Sequence, residues 1–147
     1  MVEVGVVGLG DDYSTMYQSF EQLEVWQQAI ELAHRVRQVA ESRAFKGDND
    51  IKRQMRRAAV SIPSNIAEGY EKGSARDSIK FYRIAKGSAG ELRTQLVLCK
   101  MAGDLPDAVI DELMARSLSV SRSLGGFIRN LQDRVDQTTR PNENGLA

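Results

Sequence analysis

The chain has 147 residues, enough for a single domain with its own core. Apolar residues total 41% but aromatics only 6%, so the core must come from Leu, Ile, Val, Ala and Met, which suits helices. A single cysteine, Cys99, excludes an internal disulfide framework, no apolar run reaches the roughly 18 residues of a membrane helix, and the formal net charge is zero.

The first 18 residues read as an arm. Val2, Val4, Val6 and Val7 could form a short strand, but Gly5, Gly8, Gly10 and Asp11-Asp12 break it. The Gly-x-Gly here is no dinucleotide fingerprint, because the third glycine position falls on Tyr13 and no βαβ pattern follows. With Glu3 and no basic start, Met1–Gly10 is a poor signal peptide, and the expected location is the cytoplasm.

Helical periodicity begins at Ser19. Ser19 and Gln22 have capping-box spacing, with Ser19 as the predicted N-cap. Leu23, Trp26, Ile30 and Ala33 make one apolar stripe, and Val25, Ala29, Leu32, Val36 and Val39 make a second. A face this wide predicts more than one neighbour. The pattern fades near Phe45, and Gly47-Asp48-Asn49-Asp50 is a turn.

The second helix is predicted from about Asp50 to Tyr70, with Ile51, Met55, Ala58 or Ala59, Ile62 and Ile66 on its core face. Pro63 lies inside it and should kink it, and Ser61, Ser64 and Asn65 can satisfy backbone groups the proline frees. Gly69 and Gly73 bracket its end. A third helix starts at Ser74, in capping-box register with Asp77, and points Phe81, Ala85, Ser88, Leu92, Leu96 and Cys99 inward. Gly87 and Gly90 at mid-helix suggest a close helix approach, since each costs about 1 kcal/mol relative to Ala. After a tight Gly103-Asp104-Leu105-Pro106 connection, a fourth helix carries Ile110, Leu113, Ser117, Val120, Leu124, Ile128, Leu131 and Val135. The expected organisation is an arm over 1–18, an antiparallel up-and-down four-helix bundle over 19–136, and a disordered tail over 137–147.

The zero net charge hides a division. Residues 51–100 hold 11 Lys and Arg against 4 Asp and Glu, a net of +7, and the rest of the chain carries −7. Lys52 with Arg56, and Arg53 with Arg57, stand four apart on the second helix, where like charges repel by a few tenths of a kcal/mol. Arg76, Lys80 and Arg83 share a stripe of the third, flanked by Lys86 and Arg93. Cations on successive turns can follow a phosphate backbone; the plainer alternative is a solvated face with ordinary ion pairs.

Catalytic chemistry has little to stand on. The single histidine, His34, has no cysteine or carboxylate at ligand spacing, so no metal is expected. A di-iron bundle needs two Glu-x-x-His repeats, which one histidine cannot supply. Cys99 sits in a Leu-rich stripe with no activating partner, and Glu68 with Glu71 reads as a helix end before it reads as an acid–base pair. Phosphate-loop and nucleophile-elbow patterns are absent. No enzyme activity and no cofactor are expected.

Three words carry a family resemblance: Phe20-Glu21-Gln22-Leu23-Glu24-Val25-Trp26-Gln27, the segment from Gln54 to Gly69 around Ser61-Ile62-Pro63-Ser64-Asn65-Ile66, and Ala85-Lys86-Gly87-Ser88-Ala89-Gly90-Glu91-Leu92 with Arg93 to Leu96. With them the chain resembles the four-helix-bundle family of rRNA intervening-sequence proteins, which includes the accessory variability determinant of diversity-generating retroelements. The resemblance implies a ring, typically a homopentamer, without enzyme activity. In the retroelement members it implies a reverse transcriptase partner and nucleic-acid binding through basic ring surfaces. By position, those contacts fall on Arg53, Arg56, Arg57, Lys80, Arg83 and Lys86, and packing within or between protomers on Trp26, Ile62, Pro63, Gly87 and Gly90. The alternative expectation is a structural or scaffolding homo-oligomer that binds another protein and no nucleic acid.

Overall fold

The computed structural model describes residues 19–140, and the arm over 1–18 and most of the expected tail lie outside them. Four helices account for nearly all of the described chain: α1 (Glu24–Glu41), α2 (Asn49–Glu71), α3 (Ala75–Ala102) and α4 (Asp107–Thr139). There is no strand among the described residues. Helices adjacent in sequence pack together and α1 closes against α4, while α1 and α3 share no close backbone approach. This is the up-and-down four-helix bundle, with α1 and α3 at opposite corners. No helix among the described residues is long and apolar enough to cross a membrane.

The ends follow local chemistry where a side chain can reach the free backbone amides. Asp48 caps α2 by accepting from the backbone N–H groups of Asp50 at 3.1 Å and Ile51 at 2.9 Å. Asp48→Ala is expected to remove about 0.5–2 kcal/mol, read as a lowered thermal midpoint with unchanged helical content in the native state. Ser74 caps α3 as its spacing with Asp77 predicts, accepting from the Asp77 N–H at 3.3 Å. Gly103, at φ 73°, closes α3 in the left-handed conformation that glycine tolerates.

The first helix departs from expectation. Ser19 heads only a 3-10 turn, Phe20–Gln22, and its side chain makes no capping bond. The chain is extended at Leu23, and α1 starts at Glu24. The Phe20 ring packs edge-on against Trp26 at 5.3 Å between centroids, at the entry to α1. At the other end α4 remains helical to Thr139, past the boundary expected at 136.

One continuous core runs through the bundle. Leu32, Val36, Met55, Ile62, Ile66, Leu92, Leu96, Leu113 and Leu124 are fully buried in it. The aromatic at its α2–α3 end is Tyr82, not the expected Phe81: Tyr82 is 1% exposed and meets Phe127 edge-on at 5.9 Å. Phe81 is half-buried under the Lys72 ammonium, 5.0 Å from its ring. Phe45, read as the fading end of a helix, is buried, and the loop that carries it is fastened by the Lys46 N–H to the Asp104 carbonyl at 2.8 Å.

The close helix approach also lies elsewhere than expected. A methyl group on Gly87 would meet nothing within 4 Å, and one on Gly90 would meet only the Arg93 guanidinium at 3.7 Å. A methyl group on Gly69 would fall 2.8 Å from the Tyr82 ring and 3.1 Å from the Phe81 Cβ. The Ser78 hydroxyl donates to the Gly69 carbonyl at 2.7 Å, tying α3 to the end of α2. Pro63 is buried, and α2 continues through it from Asn49 to Glu71. The Asn65 amide donates to the Ser61 carbonyl at 2.8 Å and to its hydroxyl at 2.9 Å, and that hydroxyl pairs with Ser88 at 2.8 Å. Ser61 thus joins α2 to α3, and Asn65 braces it from within α2.

Candidate nucleic-acid interface

The six cations singled out in the sequence do not share one surface. Arg53 and Arg57 line a polar groove of about 520 Å³ between α2 and α3, together with Asp50, Gln54, Ser61 and Glu91. Arg56, one position away, turns to the α1 side, where its guanidinium lies 3.6 Å from Glu41. Lys80, Arg83 and Lys86 are exposed along α3, and the Lys86 ammonium leans toward α4, 3.9 Å from where a methyl group on Gly125 would stand.

Pairing divides them further. Arg53 reaches back to Asp50 at 2.7 Å and Lys80 to Asp77 at 3.7 Å, both exposed pairs one turn apart. Such pairs contribute little to stability and are readily exchanged for another anion. Of the six, Arg57, Arg83 and Lys86 are in no ion pair among the described residues, and the same holds for the exposed Arg76 and Lys100 of α3. Arg93, counted beside them in the sequence, points inward. Its guanidinium donates to the Ser121 hydroxyl at 2.7 Å and the Ser117 hydroxyl at 3.1 Å, clasping α3 to α4. The signal for that role was Ser117, a polar residue in an otherwise apolar α4 stripe.

A second clasp had no signal in local spacing. Arg35 of α1 forms a fork with Glu112 of α4, its Nε donating at 2.9 and 3.2 Å and its terminal nitrogen at 3.0 Å. The hydrogen bond from Arg35 holds the Glu112 carboxyl below its ordinary pKa, with the charges of Arg35 and Arg116 acting in the same direction. A carboxylate lowered in the folded state stabilises the fold above its unfolded pKa, about 4.3 for Glu. That contribution is lost as pH falls through the lowered value. Acid unfolding of the wild type is therefore expected to be steeper below about pH 4.3 than that of Glu112→Gln, measured by circular dichroism over an acid titration.

The other sequence candidates are placed as follows. Ile62 and Pro63 are buried, and Trp26 is half-buried at the edge of an apolar groove between α1 and α2. Ile30, Ala33 and Val60 run through this groove, Trp26, Pro63 and Ala67 line one end, and His34, Arg37 and Arg56 the other. The extra width of the α1 apolar face is spent here: Ile30 is 40% exposed and Val60 of α2 is 54% exposed. His34 is exposed, and no cluster of three or more His, Cys, Asp or Glu that could hold a metal occurs among the described residues. Cys99 is fully buried, 3.7 Å from the Met55 sulfur. Burial, and then the charge of Asp104, push its thiol up to about 11, which leaves a poor nucleophile.

Fold and surface together define a helical bundle with exposed cations on α2 and α3 and an apolar groove between α1 and α2. The chain belongs to the 23S rRNA-intervening sequence protein family, whose model matches residues 21–126. It is similar to a protein of unknown function from the S23 ribosomal protein family of Bacteroides thetaiotaomicron, known from a crystal structure. The two are 24% identical, the match covers 71% of this chain and 97% of that one, and the TM-score is 0.62, a likeness of fold. No curated protein matches the chain.

Proposed function

We propose that this protein is a non-catalytic, ring-forming accessory protein of the cytoplasm that binds structured nucleic acid, RNA or an RNA/DNA hybrid, on the basic face of α2 and α3. The observation that carries this reading is the set of exposed cations without an ion pair among the described residues, Arg57, Arg76, Arg83, Lys86 and Lys100, on the two helices that hold the +7 of charge. A ring repeats that face by symmetry and multiplies its field. A kink at Pro63 would set the tilt of the first half of α2, and with it the aim of Arg53 and Arg57. The reverse transcriptase of a diversity-generating retroelement is the proposed protein partner. Filter binding of a structured RNA over a salt series tests the nucleic-acid reading. Binding at low salt that weakens linearly on logarithmic axes is expected, with about 0.9 in slope for each phosphate neutralised on a duplex. No binding at low salt overturns it.

The ion pairs Arg53–Asp50 and Lys80–Asp77 favour a second reading. In it the protein is a scaffolding homo-oligomer for another protein, and the basic face is only solvated. That reading predicts full partner capture and no RNA retention at any salt concentration.

A further inference from the structure

The α2–α3 groove holds more than cations, and most of its polar groups are already engaged. Arg53 pairs with one Asp50 oxygen at 2.7 Å, and the Gln54 amide donates to the other at 3.4 Å. The Ser61 hydroxyl is shared between Ser88 and Asn65. Arg57 of α2 and Glu91 of α3 line the same groove and are in no ion pair among the described residues. At about 520 Å³ the groove is within the size range of small-ligand sites.

Glu91 is out of place on a surface that only follows a phosphate backbone. Arg83 and Lys86 are exposed on the same helix, and a carboxylate near them repels each phosphate that passes. It is in place on a surface that also reads a base. An ionised carboxylate accepts and has no hydrogen to give, and a guanidinium donates and has no lone pair. A ligand that satisfies both carries donors at one point and an anion at another. A nucleotide with an unpaired guanine does so. The pairing edge of guanine sets two N–H donors side by side, on N1 and on the N2 amine, and one carboxylate accepts both. Adenine and cytosine set a ring-nitrogen acceptor beside the amine, and uracil flanks its one N–H with two carbonyls. Each of these three brings lone pairs against a carboxylate.

The helix leaves room for the strand. Arg83, Gly87 and Glu91 follow one another at steps of four along one face of α3, about 12 Å from first to last at 1.5 Å per residue. A methyl group on Gly87 would meet nothing within 4 Å, so bare backbone separates the cation from the carboxylate and a ribose can lie against it.

We propose that the α2–α3 groove reads one unpaired guanine of a structured RNA. Glu91 accepts from the N1–H and N2–H groups of the base, Arg57 donates to the phosphate of that nucleotide, and Arg83 holds the strand beyond Gly87. The inference rests on the nucleic-acid reading above and gives it a base preference, which phosphate contacts alone do not supply.

The experiment uses the full chain and filter binding at one low salt concentration. The probes are four hairpins with one stem and a uridine loop, whose central loop position is guanosine, inosine, adenosine or uridine. Inosine keeps the N1–H of guanosine and lacks its amine. Wild type is expected to bind the guanosine hairpin about tenfold tighter than the adenosine and uridine hairpins, with inosine between them. Glu91→Gln, at an exposed position, is expected to abolish that preference without weakening the uridine hairpin, since it removes a negative charge. Arg57→Ala is expected to weaken all four hairpins alike and to keep the preference. Circular dichroism confirms that both variants fold. GMP alone is expected to bind far more weakly than the guanosine hairpin. If wild type binds all four hairpins equally, the guanine reading is overturned and the nucleic-acid reading stands. If Glu91→Gln keeps the preference, the groove is not the reader and the proposal is overturned. GMP bound as tightly as the guanosine hairpin overturns the part given to the strand. No hairpin bound at low salt overturns the nucleic-acid reading itself, and this inference with it.

Discussion

Replacing Tyr82 by alanine is expected to lower folding stability by about 3–5 kcal/mol, the range for deleting a large buried aromatic. The ring is 1% exposed, stacks edge-on with Phe127, and fills the space that Gly69 leaves beside it. Its removal empties the end of the bundle where α2 turns into α3. Against a typical total of about 5–15 kcal/mol, this is a large share of the stability. Phe81→Ala next door is expected to cost distinctly less, because that ring is half-buried and trades a cation contact for water. Gly69→Ala attacks the same cluster from the other side. Its methyl group would lie 2.8 Å from the Tyr82 ring, so overpacking of about 1–3 kcal/mol is expected. Urea midpoints at one fixed protein concentration check all three, since assembly adds to apparent stability. Equal losses for Phe81→Ala and Tyr82→Ala would contradict this account of the core.

These residues also show where reading the sequence succeeds. The α2 and α3 boundaries were legible because their caps are local: Ser74 reaches Asp77 with no help from the rest of the fold. The Ser19 box failed because the chain makes only a 3-10 turn over Phe20–Gln22 and is extended at Leu23, with the Phe20 ring laid back on Trp26. Helical spacing alternates between three and four, so it cannot choose between neighbours such as Phe81 and Tyr82. The choice is made by Gly69 of α2, which leaves room for the Tyr82 ring and belongs to no pattern within α3 itself. A small residue inside a helix is equally silent about direction: Gly69 faces the core and Gly87 faces out.

 The site divides in the same way. The excess of cations in residues 51–100 was visible as composition, and the pairs Arg53–Asp50 and Lys80–Asp77 follow from spacing of three. The inward turn of Arg93 and the Arg35–Glu112 fork join residues far apart in the chain, and only the packed bundle brings them together.

Reversing three of the open cations, Arg57→Glu, Arg83→Glu and Lys86→Glu together, is expected to weaken binding of a structured RNA by roughly a hundredfold or more at low salt. Each lost phosphate contact is expected to take about one from the salt slope, so the slope should fall by about three. All three side chains are exposed, so the fold should hold and circular dichroism should be unchanged. Arg43→Glu, a single reversal at an exposed cation in the loop after α1, is the off-site control for each of the three single reversals and is expected to change binding little. Filter binding of wild type, the triple variant, the single reversals and the control over one salt series makes the comparison. A triple variant that binds like wild type would remove the α2–α3 face from the account.

The central claim is that one chain assembles through apolar surfaces and binds nucleic acid through charged ones. Salt separates these two forces, because it screens the second and leaves the first in place. Sedimentation of the wild-type protein with a structured RNA, at low and at high salt, reads both at once. The predicted result is a single protein assembly, a pentamer, that carries RNA at low salt, releases it at high salt and keeps its own mass throughout. A protein that sediments as a monomer at both salt concentrations, or an assembly that never carries RNA, would contradict it.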